Sequence, residues 1–195
     1  YSFKTTIKAG LSESQFVKLN FQTNLHYTFT KKIKGKLRIW TGGFINKNNL
    51  PNQYLTYLSG SIDPDFRHNF IINRTGRMND ISVGTRQYSA GGPGMRGLVF
   101  KDDKLFGVED WVFSANFDIS LPKMPANPFL DMAVIQGEDP YVDFGIKKSI
   151  GPFVLIIPLF QSWGDEEPFV KDVDWLLKRM RFSLNIAEFN PRKYF

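Results

Sequence analysis

The chain has no cysteine among its 195 residues, which removes several classes of protein at once. Without thiols there is no disulfide framework, no thiolate zinc site and no cysteine nucleophile. Long apolar runs are missing as well. The longest clean one, Phe153 to Phe160, falls far short of the roughly 20 residues that a membrane-spanning helix requires. Apolar residues at helical spacing are nearly absent, and only Asp172 to Lys178 reads as a short helix. No internal repeat or low-complexity tract occurs. Tyr1 opens directly into an alternating segment with no signal-peptide pattern, so a mature, processed or fragmentary chain is expected.

What is present is apolar and aromatic. With 19 Phe, 7 Tyr and 4 Trp the chain carries too much apolar surface for a solvated coil. Its length suits one domain, 1–195, with a core of its own. The net charge of +6, from 25 Lys and Arg against 19 Asp and Glu, is too modest to argue for a nucleic-acid partner, and none is expected.

The dominant pattern is alternation with a period of two, the mark of strands with two unlike faces. Between Phe16 and Thr30, the residues Val17, Leu19, Phe21, Leu25, Tyr27 and Phe29 share one face, while Lys18, Asn20, Gln22, Asn24 and His26 share the other. Similar alternation runs through Phe3 to Ala9, Ile33 to Ile39, Trp111 to Leu121, Leu130 to Val134, Phe144 to Lys147 and Arg179 to Ile186. With the nearly continuous apolar strand Phe153 to Phe160, about eight strands follow, and the fold class is all-β and antiparallel. The connections alternate in length. Lys31-Lys32, Lys123 to Pro128 and Ser149 to Pro152 lie on one side of the sheet and are all short, whereas Leu11 to Gln15, Gly137 to Pro140, Gln161 to Lys178 and the very long 46–109 lie on the other. Short turns on one rim and long loops on the other form the arrangement of outer-membrane barrels.

Alternation alone does not say which face is the core. A soluble barrel turns its apolar face inward, and a membrane barrel turns it toward lipid. Two features favour the membrane. The segment Phe16 to Thr30 is far longer than the roughly 5–6 residues usual in soluble strands and exceeds the roughly 9–11 of a tilted spanning strand. Aromatics such as Phe3, Phe16, Tyr27, Phe29, Trp40, Trp111, Tyr141, Phe160 and Trp163 fall at strand ends, where interfacial girdles belong. The expectation is an up-and-down transmembrane β-barrel, either a lone eight-stranded barrel or half of a sixteen-stranded one. A soluble, lipocalin-like barrel with an apolar ligand is the alternative, and it would turn Val17, Phe21 and Phe117 inward.

The long loop 46–109 holds the glycine-rich stretch Gly91-Gly92-Pro93-Gly94-Met95-Arg96-Gly97. Glycines allow the backbone to turn sharply and approach its surroundings closely, so Arg96 can be carried into a polar interior. A confined guanidinium needs carboxylates. Asp118 and Asp131 lie on the polar faces of neighbouring strands, and a forked guanidinium can bridge both.

Ser89-Ala90-Gly91-Gly92-Pro93-Gly94-Met95-Arg96-Gly97-Leu98 resembles the inward loop of the BamA-like superfamily of outer-membrane assembly and translocation proteins, the bacterial surface antigen family. There an aliphatic residue precedes Arg-Gly and an aromatic follows. Here Met95 and Leu98 take those places. Asn116-Phe117-Asp118-Ile119-Ser120-Leu121-Pro122, Phe129-Leu130-Asp131-Met132-Ala133 and Lys147 to Leu155 resemble the strands and hairpin that follow in the family. The resemblance implies an outer-membrane location, a role in protein insertion or translocation, and a lock in which Arg96, flanked by Gly94 and Gly97, pins the loop to Asp118 and Asp131. Similar barrel-like tails occur on membrane-anchored aminopeptidases of Bacteroidetes-type bacteria, where the segment would serve as an anchor. The expected partners are outer-membrane lipid and a second copy of the chain or another barrel or periplasmic protein.

No catalytic constellation is present. His26 and His68 lack ligand-spaced partners, and Asp102-Asp103 and Asp165-Glu166-Glu167 read as solvated loop charge rather than metal ligands. The Gly-Gly-Pro-Gly stretch lacks the Gly-Lys-Ser/Thr of a phosphate loop. The chain is therefore expected to be no enzyme and to carry no metal or cofactor. The tail Phe189 to Phe195 ends on an aromatic, like the terminal signal of barrel proteins.

Overall fold

A computed structural model describes residues 2–10, 15–50, 54–58, 92–97, 107–162 and 169–184. Its strands are β1 (Ser2–Gly10), β2 (Gln15–Thr28), β3 (Lys34–Asn48), β4 (Thr56–Tyr57), β5 (Gly107–Val108), β6 (Val112–Ser120), β7 (Asn127–Ile135), β8 (Tyr141–Ile150), β9 (Phe153–Gln161) and β10 (Arg181–Leu184), with one helix, α1 (Val173–Arg179), before the last strand. Eight strands form one sheet in the order β1-β2-β3-β6-β7-β8-β9-β10, and every neighbouring pair is antiparallel. The chain therefore runs up and down, with one excursion between β3 and β6. Within that excursion β4 and β5 make a small ladder of their own, which the alternation pattern does not announce.

The short turns close locally. Between β2 and β3 the Ile33 amide donates to the Thr30 carbonyl at 3.2 Å and to Thr30 Oγ1 at 3.1 Å, so one threonine accepts twice at the corner. At the same end, β8 and β9 are joined only by Gly151 and Pro152, with Gly151 at φ +57°. The sheet curls on itself, because Ser2 of β1 and Ser183 of β10 line the same cavity. Among the described residues no ladder joins β1 to β10.

The two faces are sorted in an unusual sense. Along β7 the burial alternates strictly: Phe129, Asp131, Ala133 and Ile135 are buried, and Leu130, Met132 and Val134 are exposed. The neighbouring strands continue this, with Ser114, Asn116 and Asp143 inside and Phe113 and Phe144 outside. Asp131 and Asp143 are fully buried while Met132 stands 44% exposed, so charge is enclosed and apolar surface is displayed. Val17, Phe21 and Phe117 lie on the half-exposed outer side, opposite to what an apolar-lined barrel would require.

The aromatic assignment needs correcting. Tyr27 and Phe29 are exposed, but Phe16, Trp40 and Tyr141 are buried and belong to no outer girdle. Trp40 shares its face with Arg38 and Gly42, so strand parity turns it inward, where it packs with Leu58, Met95, Val112, Ala133, Ile135 and Tyr141. The expected helix 172–178 is present one residue later. His68, Leu98, the acidic pairs at 102–103 and 165–167, Trp163 and the tail 189–195 lie outside the described residues, as does the side chain of Phe3.

Candidate functional site

The segment 92–97 runs inside the curl of the sheet. Gly92 and Gly94 have φ of +50° and +72°, backbone that a side chain at Cβ disfavours, which explains the glycines here. The Met95 amide donates to the Leu58 carbonyl at 2.9 Å, and the Met95 side chain is buried completely in the apolar cluster. One residue later the surroundings change from apolar to ionic.

Arg96 is 6% exposed and meets two carboxylates. Its Nε donates to Asp131 Oδ2 at 2.9 Å, its Nη1 pairs with Asp118, and its own amide donates to Asp131 Oδ2 at 2.9 Å. The guanidinium lies over the Phe129 ring, 4.3 Å from its centre, a cation–π contact that covers the face the carboxylates leave open. The Gly97 amide donates to Asp143 Oδ2 at 3.1 Å. A Cβ at Gly97 would stand 2.8 Å from Asp143 Cβ and Cγ, so only glycine fits against that carboxylate.

The sheet side of the site extends well beyond these residues. Asn116 donates to the Gly94 carbonyl and to Asp131 Oδ1, both at 3.1 Å. Arg38 gives its guanidinium to the carbonyls of Gly92 and Pro93, to Asn116 Oδ1 at 2.6 Å and to Gln22 Oε1 at 3.0 Å. Lys147 holds the second oxygen of Asp118 at 2.7 Å, and Arg181 Nη1 reaches the Arg96 carbonyl at 3.4 Å. Backbone and side chain of the loop are thus tied to β3, β6, β7, β8 and β10. Outside the long strands, burial raises the Tyr57 phenol and lowers the Arg179 guanidinium to about 10, so neither changes charge near neutral pH.

Gly94, Arg96, Gly97, Asp118 and Asp131 therefore come together at one place. Asn116, Asp143, Arg38, Lys147, Arg181 and Phe129 complete it and were not among the residues the sequence assigned to the lock. Their signal was available in the parity of their strands: Asp143 and Lys147 alternate with Phe144 and Ile146, on the same face as Asp131 next door. Chemically the arrangement is a clamp. It neutralises buried charge and fixes a loop, and it presents no nucleophile–base pair. Among the described residues no cluster of three or more His, Asp or Glu is placed to hold a metal ion.

No family model, curated protein or solved structure matches the chain.

Proposed function

We propose that this chain is an outer-membrane β-barrel protein related to the membrane-embedded part of outer-membrane protein insertion and translocation factors. The observation that carries the reading is the inverted sorting of the two faces, with Asp131, Asp143, Arg96 and Arg181 enclosed and Phe113, Leu130, Met132, Val134 and Phe144 displayed. A contiguous apolar exterior around a polar interior suits a sheet solvated by lipid, and water would penalise it. Strand lengths of 14 and 15 residues for β2 and β3 fit the same reading. Arg96 acts in it as the pin that keeps the glycine-rich loop inside the barrel.

The test is the protein-only mass of the folded chain after extraction, in detergent and in plain buffer. The reading expects folded protein only in detergent, with 22.5 kDa for a lone barrel, twice that for a pair, or an excess that identifies a partner. A folded monomer in plain buffer would overturn it. The finer assignment is tested in cells with Arg96→Lys, which keeps the charge and loses the planar fork. A folded barrel with impaired outer-membrane assembly fits an insertion or translocation factor, whereas unchanged assembly fits an anchor.

A further inference from the structure

On the short-turn side of the clamp the curled sheet encloses a cavity of about 500 Å³. That volume lies within the range of small-molecule sites. Among the described residues four cations line it, Lys36 and Arg38 from β3, Lys147 from β8 and Arg96 from the loop, against a single lining carboxylate, Asp118. Both oxygens of Asp118 are already engaged, Oδ1 by Arg96 and Oδ2 by Lys147. Lys36 is the register partner of Asp118 and is exposed, with its side chain lining the cavity. Beside Lys147, its register partner Ile156 and the adjacent inward residue Val154 give the cavity an apolar wall.

We propose that this cavity is a binding site for a phosphate monoester. The phosphate would sit against Lys36, Lys147 and the Arg38 side of the cavity, and a short apolar substituent would lie along Val154 and Ile156. Cations approaching from separate strands suit a tetrahedral group with three charged oxygens better than a planar carboxylate, which one guanidinium fork satisfies. An anion also supplements Asp118, the lining carboxylate, in offsetting the positive charge of Lys36 and Lys147. The cavity belongs to the inner face of the sheet, so the inference stands apart from the membrane reading. The same chemistry is offered by a free metabolite and by a lipid headgroup.

Calorimetry on the purified, folded chain with inorganic phosphate, butyl phosphate, butyl trimethylammonium and short-chain phosphatidic acid tests it. Butyl phosphate is expected to bind severalfold more tightly than inorganic phosphate, and the quaternary amine not at all. Binding of short-chain phosphatidic acid at the same site points to a headgroup, and its exclusion to a free monoester. Lys36→Glu should weaken butyl phosphate by about tenfold, the scale of one charge-assisted contact. Lys36 takes no part in the clamp, so this variant should fold, as circular dichroism will report. Lys34→Gln, an exposed lysine outside the cavity, should leave affinity unchanged. Absence of phosphate binding at millimolar concentration, or binding that ignores Lys36→Glu in a folded protein, would overturn the proposal.

Discussion

Met95 and Arg96 are neighbours in sequence, both are almost wholly buried, and they hold the same loop by opposite means. Met95 enters a cluster of Trp40, Leu58, Val112, Ile135 and Tyr141, where the attraction is non-directional and spread over many weak contacts. Arg96 enters a cluster of Asp131, Asp118, the Phe117 carbonyl and the Phe129 ring, where a few directed contacts carry the energy. The apolar half tolerates a change of shape with a graded penalty. The ionic half does not, because the carboxylates left behind are charges held away from bulk water. The interior of this sheet is therefore a packed plug at the long-loop end, an ionic clamp in the middle, and an open polar cavity toward the short turns.

The comparison breaks most visibly at Arg96. Arg96→Met keeps an unbranched stem, removes the guanidinium and strands Asp131, which is fully buried, so a loss of about 3–5 kcal/mol is expected, enough to prevent folding in a marginal background. Adding Asp131→Asn removes the stranded charge, and the pair should recover a large part of the loss. Equilibrium unfolding of the two single variants and the double variant measures this, and strict additivity would show that charge is not what makes the clamp brittle. Met95→Ala comes next. Truncation of a fully buried side chain costs about 2–5 kcal/mol, and Met95→Leu should cost less than about 1.5 kcal/mol because the volume is kept. A Met95→Leu loss as large as that of Arg96→Met would erase the distinction between the two halves.

Much of this contrast was legible in the sequence, and the illegible part has a physical reason. Asp118 and Asp131 could be assigned to one face because period-two alternation fixes side-chain direction once a strand is recognised. The strand register then places Asn116 beside Asp131, and Asp131 beside Asp143, as direct cross-strand partners. Alternation cannot supply that register, which turns and hairpin geometry set. For the same reason Asp143 passed unnoticed although its parity was right. Trp40 and Tyr141 were misread as girdle aromatics at strand ends; β3 runs on to Asn48, which puts Trp40 in mid-strand, and parity turns both side chains inward. The β4–β5 ladder was invisible since two-residue strands have no period to detect.

Gly97 sharpens the comparison at the seam between loop and sheet. Its amide faces Asp143, and a methyl group there would stand 2.8 Å from that carboxylate's carbon atoms. Gly97→Ala must displace either the loop or Asp143, and a loss of about 1–3 kcal/mol is expected from such overpacking. Thermal unfolding in parallel with Met95→Leu would rank the two. A neutral Gly97→Ala would mean that the loop slides freely past β8 and that Arg96 alone locates it.

The smallest effect is expected where the same atoms meet at nearly the same distance in a different place. Lys47 Nζ lies 2.8 Å from Asp110 Oδ1, as close as Arg96 Nε lies to Asp131 Oδ2, yet both rim side chains are about half exposed. Water solvates each partner when the other is removed, and salt screens the pair over roughly 8–10 Å. Lys47→Ala should therefore leave the unfolding midpoint unchanged within error, at low and at moderate salt. Should it instead approach the loss seen for Arg96→Met, the brittleness of the clamp would be a matter of distance rather than of enclosure. The contrast between the two ion pairs rests on enclosure and on the forked guanidinium, since the closest distances hardly separate them.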